Sequence, residues 1–137
     1  SSDLEGALER HRAAMTDPLE ILRHVGGREL AAMLGVILAA RLRSVPLLLD
    51  GFTSTVPAAV LQAMAPDAAA HCQVGHCSAE PGHRRLLERM RMPPLLTLGM
   101  RLGEASGAAV AIQLVRAALA CHNGMATFAS AQVSQKS

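Results

Sequence analysis

Short apolar runs closed by glycine, aspartate or cysteine alternate with helical stretches along this chain, and that alternation limits the fold more than any single residue does. "VPLLLDG" reads as a strand over residues 46–50, "HCQVGHC" as a second over 71–76 and "PPLLTLG" as a third over 94–98. Each run is short enough for a buried strand and is bounded by turn-forming residues. Parallel strands need crossover connections of a dozen or more residues, usually a helix. The pattern therefore predicts an α/β fold: an open parallel sheet of about three strands flanked by helices. A sheet this small has two unprotected edges, so further strands or a partner chain are expected to complete it.

The helical segments carry their own punctuation. Residues 3–14 form a polar helical pattern. "TDPLEILRHVGG" has a strong start, with Asp17 as cap, Pro18 at the first helical position and Glu20 three residues after the cap. Gly26 and Gly27 end it. Residues 29–42 are apolar on nearly every face, which predicts a buried helix. Residues 53–64, with Pro57 near the first turn, 81–90 and 107–123 complete the set, and the tail from Ser130 is polar and expected to fray.

Half of the 137 residues are hydrophobic, yet Trp and Tyr are absent and Phe occurs twice. A surface that stacks nucleobases on aromatic rings is thereby disfavoured. The net charge of +2 marks no polyanion partner. The longest apolar run, residues 30–40, falls short of the roughly 20 residues that span a membrane. The charged start "SSDLEGALERHR" lacks the apolar core of a signal peptide. The chain reads as soluble and cytoplasmic, with no nucleic-acid or membrane partner. An odd count of 3 Cys argues against a disulfide framework.

In parallel α/β sheets ligands bind beyond the carboxyl ends of the strands. Three such ends are visible: Asp50-Gly51, His76-Cys77-Ser78, and the stretch 99–104. In "RLGEASGAA" a single carboxylate, Glu104, stands among small residues near the start of the last helix. It reads either as a helix-start acid or as a general base beside an apolar wall of Leu102 and Met100. In "SAEPGH", Ser78 and Glu80 precede Pro81 and a helix, which suits either capping or an anion such as phosphate. Asp50 either caps the next turn with Gly51 or serves ligand hydroxyls. His71, Cys72, His76, Cys77 and His83 lack zinc-site spacing, and neighbours on a strand face opposite ways. No metal and no cofactor is expected, and no nucleotide-binding glycine motif is present.

These residues sit in a familiar pattern. "GGRELAAMLGVILAARLRSVPLLLDGF", "HCQVGHCSAEPGH", "LLTLGMRLGEASGAAVAIQLVRAAL" and "MATFASAQVS" resemble the C-terminal half of the nicotinate-nucleotide–dimethylbenzimidazole phosphoribosyltransferases, over about residues 17–134. The resemblance implies transfer of ribose 5-phosphate from nicotinate mononucleotide to 5,6-dimethylbenzimidazole, giving α-ribazole 5′-phosphate for the lower ligand of cobalamin. It implies Glu104 as catalytic base, from the family's "RLGEG(S/T)GA", and Ser78, Asp50, Leu102 and Gly103 as substrate-binding positions. It implies a larger Rossmann-like parallel domain and a small helical subdomain, which residues 107–137 would help to build. A homodimer is also implied, or association with an N-terminal half holding a glycine-rich phosphate loop and much of the benzimidazole pocket. One departure is Ala105, where the family usually has glycine after the catalytic glutamate; a positive φ there would strain alanine. The chain opens without methionine, as a fragment or processed piece would, and the larger departure is length: the family's members are more than twice as long, which implies a fragment, one half of a split enzyme or a degenerate relative. An alternative of another class is a non-catalytic binding or assembly module derived from the family and inactive alone. A third is a metal-binding module.

Overall fold

The computed structural model describes residues 2–127 and 130–131. The order is α1 (Ser2–His11), a 3-10 turn (Arg12–Ala14), α2 (Pro18–Val25), α3 (Arg28–Leu42), β1 (Leu47–Leu49), α4 (Phe52–Met64), β2 (Cys72–Val74), α5 (Pro81–Met90) and α6 (Ser106–Gly124). The alternation is as the sequence predicts, but the sheet is smaller. β1 and β2 pair in parallel with Leu47 opposite Cys72 and Leu49 opposite Val74. The third run, 94–98, contributes one parallel bridge, His76 to Leu96, rather than a strand. That bridge is made by Leu96 N–H to Gly75 O at 3.0 Å and Cys77 N–H to Leu96 O at 2.9 Å, while Leu95 N–H, donating to Val74 O at 2.8 Å on the same side, breaks the alternation of a regular strand. Pro93 and Pro94 just upstream carry no amide hydrogen, so the pairing cannot extend backward.

The caps follow the sequence closely. The Asp17 carboxylate accepts from Leu19 N–H (2.8 Å) and Glu20 N–H (3.0 Å), and Pro18 occupies the first helical position. In α4, Ser54 Oγ accepts from Gly51 N–H at 3.1 Å, which closes the helix start. Pro57 lies inside α4 and removes one intrahelical donor there.

The core lies where the sheet meets α3, α4 and α5. Ile37, Leu49, Ala58, Leu61, Val74, Leu87 and Met90 are among its buried members. Alternation along β2 turns Gly75 to the face opposite Val74, and α6 packs there. A Cβ on Gly75 would meet Ala108 Cα and Ala111 Cβ, each at 3.2 Å. Small residues on both sides therefore set how closely α6 approaches the sheet.

The expectation of a buried α3 fails. Only Ile37 and Ala40 of that helix are buried, while Val36 is 61% and Leu42 79% exposed. All-round apolarity shows that a helix can be covered on every side, not that this chain covers it. The expected frayed tail and the "MATFASAQVS" stretch fall largely outside the described residues.

Candidate functional site

A cavity of about 490 Å³ opens beyond the carboxyl ends of the sheet. Asp50, Ser78, Leu102, Gly103 and Glu104 all line it, so every candidate position from the sequence reaches one place. They arrive on three segments: Asp50 follows β1, Ser78 follows the bridge residue His76, and the last three lie on the loop into α6.

Asp50 is held by a long-range bond. Its Oδ1 accepts from Ala108 N–H at 2.8 Å, so a carboxylate at the end of β1 caps the start of α6. The residue immediately before α6 is Ala105, whose side chain cannot cap, and no side-chain cap of its own is present. Gly107 lets this happen. A Cβ there would fall 2.6 Å from His76 Cβ and 3.1 Å from Asp50 Oδ1.

Ser78 does not cap α5 as its local sequence suggests. Its backbone N–H donates to His83 Nδ1 at 3.0 Å, and its Oγ lies 3.2 Å from the same nitrogen. Glu80 takes the capping position without a side-chain cap bond. It pairs instead with Arg101, 3.0 Å away, and the two join the loops at the cavity rim. Arg101 is thereby directed to Glu80, and among the described residues Glu104 has no ion-pair partner.

Glu104 sits on a left-handed turn. Gly103 (φ 78), Glu104 (φ 54) and Ala105 (φ 60) follow one another in the positive-φ region, and Ser106 N–H closes the turn on Gly103 O at 3.0 Å. Each non-glycine residue there costs about 1–2 kcal/mol. Strain of this kind persists where surrounding structure holds it, and it presents the Glu104 carboxylate to the cavity. The expected apolar wall is open in this chain: Leu102 is 76% exposed and Glu104 is exposed.

Two histidines back this site, His76 in the cavity wall and His83 behind it, and the sequence reading weighs them only as metal ligands or caps. His76 is buried against Gly107 and lines the cavity; its Nε2 has no hydrogen-bond partner among the described residues. His83 is wholly buried and stacks on Phe52 with ring centroids 5.7 Å apart. Burial pushes its pKa below the ordinary value, His76 adds to that, and Asp50 opposes it. Cys72 is buried and its thiol pKa is raised by burial, which suits a packing thiol rather than a nucleophile. Among the described residues no cluster of three His, Cys, Asp or Glu could hold a metal ion.

Comparison with known proteins agrees along nearly the whole chain. A family described as phosphoribosyltransferase matches residues 3–133. The nicotinate-nucleotide–dimethylbenzimidazole phosphoribosyltransferase of Rhizobium meliloti (strain 1021) is 56% identical over 133 residues, covering 97% of this chain and 39% of the relative. That of Sinorhizobium medicae (strain WSM419) is 56% identical over 130 residues, or 95% of this chain and 38% of the relative. Among solved structures, CobT from Thermus thermophilus superposes with a TM-score of 0.85 at 45% identity, covering 95% of this chain and 38% of that one. The chain thus spans about 39% of the length of the curated relatives it matches.

Proposed function

The chain belongs to the nicotinate-nucleotide–dimethylbenzimidazole phosphoribosyltransferase family, and from that premise we propose that it supplies the base-bearing side of the transferase site. The observation that carries this reading is the convergence of Asp50, Ser78 and Glu104, from three separate segments, on one cavity beyond the strand ends. The donor is nicotinate mononucleotide and the acceptor a benzimidazole such as 5,6-dimethylbenzimidazole; no cofactor enters the reaction.

In this mechanism one ring nitrogen of the benzimidazole attacks the anomeric carbon of the ribose. The bond from that carbon to the pyridine nitrogen breaks, and its electron pair returns to the ring, which leaves as nicotinate. The other benzimidazole nitrogen gives its proton to Glu104, so the product is the neutral α-ribazole base. Glu104 suits this role because Arg101 is occupied by Glu80 and the strained turn aims the carboxylate at the cavity. Ser78 lies on the phosphate side at a helix N-terminus, and Asp50 faces the ribose while it holds α6.

The exposed Leu102 and open wall support a site that is completed by another surface, either a second copy of this chain or the remaining length found in the relatives. The larger Rossmann-like sheet belongs to that completed enzyme, as does a small helical subdomain. α6 would reach that subdomain with its later turns, since Gly107, Ala108 and Ala111 already dock its first turns on the sheet. The reaction is one of cytoplasmic metabolism. Among the described residues no helix is long and apolar enough to cross a membrane.

The test is a chimera in which the unmatched length of the Rhizobium meliloti relative completes this chain, assayed for nicotinate release. Transfer to dimethylbenzimidazole is expected. Ser78→Ala should weaken nucleotide binding by about 1.5–3 kcal/mol, the worth of one hydrogen bond to a charged group. A folded chimera that binds nucleotide but never transfers ribose phosphate would leave a non-catalytic binding module in its place.

A further inference from the structure

His83 is closed to solvent and does not itself line the cavity, yet it bonds residues on two sides of the site. Ser78 N–H donates to its Nδ1 at 3.0 Å, so that nitrogen is an unprotonated acceptor. In the neutral ring the proton then sits on Nε2, which lies 3.1 Å from Thr55 Oγ1. The Thr55 hydroxyl passes its own proton to Gly51 O at 2.7 Å. One imidazole therefore ties Ser78, whose Oγ also lies 3.2 Å from Nδ1, to the Asp50-Gly51 turn. The ring is fixed from outside as well. Phe52 stacks on it, and Gly82 admits Phe52 so closely that a Cβ would lie 2.8 Å from the phenyl ring.

We infer that His83 is a positioning residue: as the neutral Nε2–H tautomer it sets the Ser78 and Gly51 walls of the cavity, and protonation releases the Ser78 amide. A proton on Nδ1 would remove the acceptor of the Ser78 N–H and leave only Ser78 Oγ, 3.2 Å away, as a partner for the ring. The titratable groups facing the ring are His76, after β2, and Asp50, after β1, while α4 presents only Thr55 and Phe52. Burial and His76 hold the neutral form against Asp50, so the arrangement is complete at neutral pH and fails in acid. The inference takes from the proposed transferase only the identity of what the cavity holds.

The test is heteronuclear NMR of the histidine rings and amide exchange of the 137-residue chain, with His83→Asn and His83→Gln. Asparagine keeps an acceptor near the Nδ1 position, and glutamine keeps a donor near the Nε2 position. In the parent chain Nδ1 should resonate as unprotonated and Nε2 as protonated. Ser78 amide protection should fall as pH drops below about 6.5, in step with the His83 ring. At neutral pH the Ser78 amide should exchange about tenfold faster in His83→Gln than in His83→Asn, after correction for global stability. An Nδ1–H tautomer, or equal Ser78 protection in the two variants, overturns the inference. Nicotinate mononucleotide titrated into the completed chimera separates the two ideas. Absent binding there counts against the proposed nucleotide site, while the tautomer and exchange data still decide His83.

Discussion

Glu104 and its neighbour Ala105 show how much depends on single dihedral angles. A general base contributes about 10²- to 10⁴-fold. In the completed chimera Glu104→Gln is therefore expected to lower kcat by that order, with nucleotide affinity nearly unchanged, as steady-state kinetics and calorimetry can measure. A helix-start acid would instead change only the melt, by about 0.3–1 kcal/mol. Ala105 stands at φ 60, so the departure from the family's usual glycine is a real strain. Ala105→Gly should raise stability by about 0.5–1 kcal/mol, the αL cost relieved less the extra entropy glycine brings to the unfolded chain. A urea midpoint that moves down would show that the turn is not held as described. His83 also couples stability to pH. Its folded pKa lies below the unfolded value of about 6.5, so its contribution is full above that pH and is lost as pH falls toward the folded value.

Among the elements, α6 is the one whose placement most affects the site. Its start is capped from β1 by Asp50, and its approach depends on Gly107, Ala108, Ala111 and Gly75. Asp50→Ala should cost about 1–2 kcal/mol by urea titration, as loss of an N-cap does. Asp50→Asn should lose much less, because an amide oxygen still accepts from Ala108 N–H. Gly107→Ala sets two effects against each other. Alanine gains about 1 kcal/mol of helix propensity, but its methyl would sit 2.6 Å from His76 Cβ. Overpacking of this kind costs about 1–3 kcal/mol and displaces α6, so a net loss is expected. A stabilised Gly107→Ala would mean that α6 does not dock this closely.

Taken whole, the chain exposes more than its mass warrants. Its accessible surface is 9874 Å², where a compact monomer of 14.4 kDa exposes about 6,800 Å². Val36 and Leu42 on α3 and Leu119 on α6 are apolar members of that surplus. Self-association to a dimer or larger is expected at micromolar concentration by light scattering, since apolar area of this extent favours a partner. The isolated 137-residue chain is expected to show no detectable transfer from nicotinate mononucleotide, because the cavity is open beside Leu102. Robust turnover by the isolated chain would overturn the reading of an incomplete site.

The order of elements was legible in the amino-acid sequence because it follows from local chemistry: the Asp17-Pro18 start, the glycine stops, and apolar runs of strand length. That the loops after the strands meet at one cavity was legible for a related reason, since strand ends in a parallel sheet gather on one side whatever the details of packing. What the side chains do there was not. Asp50 reads locally as a cap for its own turn, but its partner amide is 58 positions away. His83 reads as a helix-start residue, but its acceptor nitrogen serves a loop and its donor serves another helix. The exposure of α3 and the shrinking of the third strand to a bridge belong to the same class. Local sequence sets dihedral preferences and the period of apolar residues. Only tertiary structure decides which polar groups meet across long separations and which apolar faces are covered, because those depend on distances that close only when every element is in place.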